Sequence, residues 1–125
     1  VAEVVGVPRL TRMPSAPIWL AGVANWRGRV LPVLDLRPLL GVETTPLAST
    51  ARLVVLAVAG VEAGVLADAV PGLVTRDEEL EPPPATVGPA ATSIIEGLLD
   101  DGGPVAVLDA GAVLALRGQL PRVRR

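Results

Sequence analysis

Gly22-Val23-Ala24-Asn25-Trp26-Arg27-Gly28-Arg29-Val30-Leu31-Pro32-Val33-Leu34-Asp35-Leu36 is the stretch whose reading decides the fold. Apolar residues crowd both halves and Arg27-Gly28 interrupts them. The stretch therefore reads as two short β-strands joined at a tight turn. Gly28 suits that turn because glycine takes positive φ without a Cβ clash. Ile18, Leu20, Val23 and Trp26 supply apolar surface before the turn, and Val30, Leu31, Val33, Leu34 and Leu36 supply it after. Arg27 is the exception. A guanidinium between two apolar strands must reach water or find acceptors, because an unpaired buried charge is costly.

Outward from this hairpin, residues 1–7 read as a strand and residues 8–17, with three prolines, as a loop. Residues 35–40 read as one helical turn, with Asp35 as N-cap and Gly41 as the stop. Residues 52–59 are β-branched, Leu or Ala after Arg52 and read as a central strand. It turns over Gly60-Val61-Glu62 into a return strand at 63–69. Residues 70–75 read as a further strand bent at Pro71-Gly72, and Pro82-Pro83-Pro84 as a stiff extended connection. Residues 90–99 fit a strand or a short helix equally. Asp100-Asp101-Gly102-Gly103 reads as a turn, 104–108 as a strand, and 109–116 as a terminal helix capped by Asp109. No internal repeat stands out. About eight short strands with regular turn signals predict a small barrel or sandwich, in which closure removes exposed edges.

At 125 residues the chain makes one domain, or two small lobes sharing a core. Half of it is apolar, yet Phe and Tyr are absent and Trp19 and Trp26 are the two aromatics. The core must be built from Val, Leu and Ala, and Trp26 reads as a plug in it. A net charge of −2 gives no strong field and argues against nucleic acid as the main partner. With no His and no Cys, the commonest general base and the strongest nucleophile are missing. Ser15, Ser49 and Ser93 have no base in sequence reach, so an enzyme is disfavoured. Asp77, Glu78, Glu79 and Glu81 lack the spacing of a calcium loop and read as a solvated acidic loop. Gly102-Gly103 runs into Pro104 and cradles no phosphate. Neither metal nor cofactor is implied. The longest apolar run, 53–61, falls far short of the about 20 residues of a membrane span, and no secretory signal is visible. Asp68 reads as an exposed strand acid or as a partner for Arg27. The tail arginines, Arg117, Arg122, Arg124 and Arg125, read as solvated. A competing reading gives them to a nucleic-acid-binding SH3-like barrel with salt-sensitive affinity.

The opening stretch closely resembles the Gly-Val-x-Asn-Leu-Arg-Gly-x-Val-x-Pro-Val-x-Asp-Leu signature of the CheW family, the adaptors that couple chemoreceptors to a histidine kinase in bacterial chemotaxis. Val1-Ala2-Glu3-Val4-Val5, Leu10-Thr11-Arg12-Met13-Pro14, Gly64-Val65-Leu66-Ala67-Asp68-Ala69-Val70, Pro82-Pro83-Pro84, Gly97-Leu98 and Leu108-Asp109 are similar to further family segments. The resemblance implies a mainly β fold: two packed SH3-like five-stranded β-barrels with one or two short helices. Residues 1–125 would be one CheW-like domain of two intertwined lobes. The family's opening strands have no counterpart here, so further residues upstream, or a longer parent polypeptide, are expected. The implied function is a cytoplasmic, non-catalytic adaptor without membrane insertion. By motif position, Gly22, Arg27, Val70 and Leu73 would face the chemoreceptor's cytoplasmic tip, held in a groove between the barrels. Val1, Glu3 and Val4 would face the regulatory domain of the histidine kinase. The alternative is a CheW-like regulatory domain within a kinase or receiver fusion. Trp26 and Ala67 depart from the family pattern, which has an aliphatic residue and Val there.

Overall fold

The computed structural model describes residues 1–120; Arg122, Arg124 and Arg125 of the basic tail lie outside them. The strands are β1 (Glu3–Gly6), β2 (Leu20–Trp26), β3 (Arg29–Leu34), β4 (Arg52–Val58), β5 (Val61–Ala67), β6 (Ile95–Asp100) and β7 (Pro104–Leu108). Three short helices, α1 (Arg37–Leu40), α2 (Pro89–Thr92) and α3 (Ala110–Ala115), join them, and a 3-10 turn (Leu116–Gln119) follows α3. The fold is mainly β, in two sheets. One is five-stranded in the order β1-β4-β5-β3-β2, and the other is the β6-β7 pair.

The apolar runs in β3 and β4 are continuous because both faces of the first sheet are covered. Leu31, Val33, Leu53 and Val55 point to one face and pack with Ala24. Their neighbours Leu34 and Leu56 point to the other and join Trp19, Ile94, Val113, Leu114 and Leu116 between the lobes. The core aromatic is Trp19, 6% exposed; Trp26, expected as the plug, is half-buried at the end of β2. Near Ala63 the floor is so close that a Cβ on Gly64 would lie 2.7 Å from Leu53 Cδ1.

The sheet curls without closing into a barrel, its edge strands β1 and β2 remaining unpaired with each other. The chain leaving β1 at one edge reaches β2 at the other, where Thr11 and Val23 exchange backbone hydrogen bonds of 2.8 and 2.9 Å. Val23 thus points its backbone outward, away from its cross-strand neighbour Pro32, so Pro32 deprives it of no ladder bond. Gly22 makes the crossing possible: it sits at φ +155 beside a register shift, and a Cβ there would lie 2.6 Å from the Thr11 carbonyl oxygen.

A repeat invisible in the sequence emerges here. In β6 a register shift again precedes a glycine, Gly97, and Glu81 and Leu98 exchange backbone hydrogen bonds of 2.8 and 2.7 Å beside it. The residues before β2 and β6, Trp19 and Ile94, each accept from the backbone N–H of an aspartate after the following strand, Asp35 and Asp109, at 2.8 Å. Each aspartate leads into a helix, so β2-β3-α1 and β6-β7-α3 are two copies of one unit.

Four local expectations are corrected. The β4-β5 turn is Ala59-Gly60, both at positive φ, rather than 60–62; two residues of this kind match the strand twist. Residues 70–75 form no strand and pair with neither sheet. Residues 90–99 hold a helix and a strand in succession. The N-cap of α1 is Leu36, not Asp35, which stands one residue earlier.

Gly22→Ala is expected to cost about 2 kcal/mol or more, because the added Cβ collides with backbone rather than with a movable side chain. Gly6→Ala, which opens onto empty space, should change stability by no more than about 0.5 kcal/mol. Urea unfolding of the two variants checks this.

Candidate functional site

The β2-β3 turn is two residues long, Arg27 at φ 50 and Gly28 at φ 75. Glycine takes the second position freely, whereas Arg27 holds a left-handed backbone that side chains ordinarily avoid. The turn lifts the Arg27 side chain into solvent, 64% exposed. Its Nη2 donates to Glu3 Oε2 at 2.6 Å, and its Cζ lies 4.6 Å from the centroid of the Trp26 ring. Across the strand pair from Trp26 is Arg29, whose Cζ is 5.8 Å from the same ring and whose Nη1 meets Glu62 Oε1 at 2.6 Å. One indole therefore carries two guanidiniums, each tied to a carboxylate on a different strand, β1 and β5.

Asp68, weighed as a partner for Arg27, is exposed and offers its backbone carbonyl to Thr50 Oγ1. Glu3 takes its place, because the curl of the sheet brings edge strand β1 beside the β2-β3 turn. Two residues expected on different surfaces, Glu3 and Arg27, thus form one ion pair. Only their charges at the borders of apolar strands hinted at it in the sequence.

The remaining expected residues are spread out. Gly22 is buried under the Thr11 crossing. Val70 is half-buried and Leu73 is 78% exposed, both in the irregular segment after β5. Val4 is half-buried in β1 and Val1, before it, is 72% exposed. An apolar groove of about 370 Å³ lies where β4 and β5 meet β7 and α3, with Leu56, Val65, Leu108 and Val113 in its wall and Val1 among its lining residues. A second, also about 370 Å³, runs from Met13 and Val23 across Val30 to Arg117 and Leu120. Gly22, Arg27, Val70 and Leu73 line neither. Arg117, read as part of a solvated tail, sits in the 3-10 turn and donates to the Glu62 carbonyl.

The second copy of the unit carries its ion pair with the polarity reversed. At the β6-β7 turn the acid is on the hairpin, Asp101, and the base comes from the preceding segment, Arg76, at 3.0 Å. Arg76 also holds Glu78 at 2.7 Å. Among the described residues no group of three or more His, Cys, Asp or Glu is placed to hold a metal ion.

The best-shielded charges are structural. Arg37 forks onto Asp35 through Nε at 3.0 Å and Nη2 at 2.8 Å, and the Arg37 backbone N–H adds a third bond at 3.1 Å. Hydrogen bonding by the Arg37 guanidinium holds the Asp35 carboxyl below its ordinary range against the opposing effect of burial.

A family model described as the CheW-like domain matches residues 1–117. Protein PilI of Pseudomonas aeruginosa is 40% identical over 94 residues, which is 71% of this chain and 53% of PilI. Chemotaxis protein CheW of Bacillus subtilis is 30% identical over 106 residues, 83% of this chain and 68% of that protein. The crystal structure of the scaffolding protein TtCheW from Thermoanaerobacter tengcongensis superposes with a TM-score of 0.75 at 30% identity, over 87% of this chain and 71% of that one. The chain spans about half of PilI and about two thirds of the Bacillus protein.

A lowered carboxyl adds stability that is complete above the unfolded carboxylate's pKa, about 3.9, and lost as pH falls through the folded value. Asp35→Ala should therefore cost about 3 kcal/mol at pH 7, where it strands the partly buried Arg37. The gap from wild type should shrink as pH drops below about 4. Denaturation at a series of pH values measures it.

Proposed function

The chain belongs to the CheW-like domain family, and from that premise we propose that it is a non-catalytic adaptor coupling a chemoreceptor's cytoplasmic tip to the regulatory domain of a histidine kinase. The family is one of scaffold proteins in chemotaxis-type signalling. The observation that carries the reading is the exposed Arg27 guanidinium, projected by a tight turn and engaged by Glu3 through a single nitrogen. Arginine has five donors in a planar fork. Those left over suit the carbonyls or carboxylates at the tip of a helical hairpin.

Gly22, Arg27, Val70 and Leu73 are the proposed receptor face. Gly22 serves it through the backbone, by fixing where residues 8–17 cross β2. Leu73 offers exposed apolar surface in a segment free of sheet pairing. Val1, Glu3 and Val4 are the proposed kinase face, the last two on edge strand β1 and Val1 just before it. The Glu3–Arg27 pair lies where the two faces border. The proposed location is the cytoplasm. No described helix is long and apolar enough to cross a membrane.

Arg27→Glu tests the reading. Charge reversal should weaken binding of a receptor cytoplasmic fragment at least about tenfold, since a charge-assisted contact becomes a repulsion. Melting temperature should fall by no more than about 5 °C, because an exposed pair contributes only about 0.2–1 kcal/mol. Titration calorimetry beside a thermal melt decides. Unchanged binding, or collapse of the fold, defeats the assignment of Arg27 to the receptor.

A further inference from the structure

We infer that Trp26 is a positioning residue, whose indole orders Arg27, with Arg29 beside it, into a preset fork for hydrogen-bond acceptors on the receptor tip. The inference rests on the adaptor reading and extends it to two residues outside the faces assigned above.

The geometry is a five-member array: Glu3, Arg27, Trp26, Arg29, Glu62. Both guanidinium carbons lie within cation–π reach of the ring, at 4.6 and 5.8 Å. Both arginines are more than 60% exposed. An exposed ion pair by itself restrains a long side chain poorly, because the side chain swings about one contact. A ring face and a carboxylate acting together restrain it in two directions. Trp26 is in turn held by packing against the cluster of Ala24, Leu31 and Val33, so the platform does not drift.

Burial does not account for the indole. The aromatic that fills the core is Trp19, whereas Trp26 is only partly buried and packs against the edge of its cluster. Ordering the arginines does account for it. Arginine gives up much rotamer freedom on docking, and a fork already held in place gives up less. Glu3 does not exhaust Arg27, since one nitrogen is engaged. A carboxylate or the open carbonyls at a helix end can take the others.

The experiment uses the full chain as wild type, Trp26→Leu and Trp26→Phe. Nitrogen-edited NMR follows the side-chain Nε–H signals of Arg27 and Arg29. Ring-current shifts are expected in wild type, absent in Trp26→Leu and partly retained in Trp26→Phe. Calorimetry follows binding of a receptor cytoplasmic fragment and, separately, of a kinase regulatory domain. Trp26→Leu should bind the receptor fragment roughly three- to tenfold more weakly, with Trp26→Phe recovering most of the loss and the melting temperature little changed. If wild type binds the receptor fragment and Trp26→Leu binds it equally well, the inference is overturned and the adaptor reading stands. If wild type binds neither partner, the adaptor reading itself fails and takes the inference with it. Should Trp26→Leu fail to fold, Trp26→Phe decides alone: weaker binding in step with smaller arginine shifts supports the role, and shifts lost without weaker binding refute it.

Discussion

Two backbone hydrogen bonds between Thr11 and Val23, made over a residue that must lack a side chain, are what the first lobe depends on. They carry the chain from one edge of a five-stranded sheet to the other. They occupy part of the open edge of β2, at Val23, that would otherwise be free to pair with another chain. With them the sheet curls around Leu31, Val33, Leu53 and Val55, and β1 comes to lie beside the β2-β3 turn. The Glu3–Arg27 contact follows from that approach. Arg27 is presented to solvent because the turn is too tight to fold it inward.

The second lobe uses the same device with different residues. Gly97 under the Glu81 crossing corresponds to Gly22 under the Thr11 crossing, and Asp109 to Asp35. The correspondence extends to the ion pair at the hairpin turn, with its polarity reversed: arginine on the first turn, aspartate on the second. The aspartates have also diverged. Asp109 caps α3 by accepting from the Ala112 N–H. Asp35 has been drawn instead into a fork with Arg37, which ties the start of α1 and the Thr45 carbonyl together. One backbone plan thus supports two hairpin turns whose ion pairs run in opposite directions.

The core explains how so few aromatics suffice. Val, Leu and Ala pack on both faces of one sheet, so strands β3 and β4 each serve two clusters. One indole, Trp19, bridges the lobes. The other is free for the surface, where two guanidiniums share it. The guanidiniums there are planar forks whose donors match carboxylates and carbonyls.

The sequence by itself determined the parts that depend on near neighbours. The central hairpin at Arg27-Gly28, the continuous run in β4, the Asp109 cap and the Gly41 stop are all legible from adjacent residues. The central signature carried the family with it. Tertiary structure alone decided what lies far apart in the chain: the parallel pairing of β3 with β5, the crossing at Gly22, and Glu3 on Arg27 across 24 positions. It also decided which tryptophan is core. Trp19 stands between Ile18 and Leu20 and Trp26 between Asn25 and Arg27, a difference in polarity that the packing turns into one interior residue and one half-buried at the rim. The physical reason is the same in each case. Periodicity and turn chemistry act over a few residues, whereas the approach of the edge strands is set by where the whole sheet bends, and no local pattern records that.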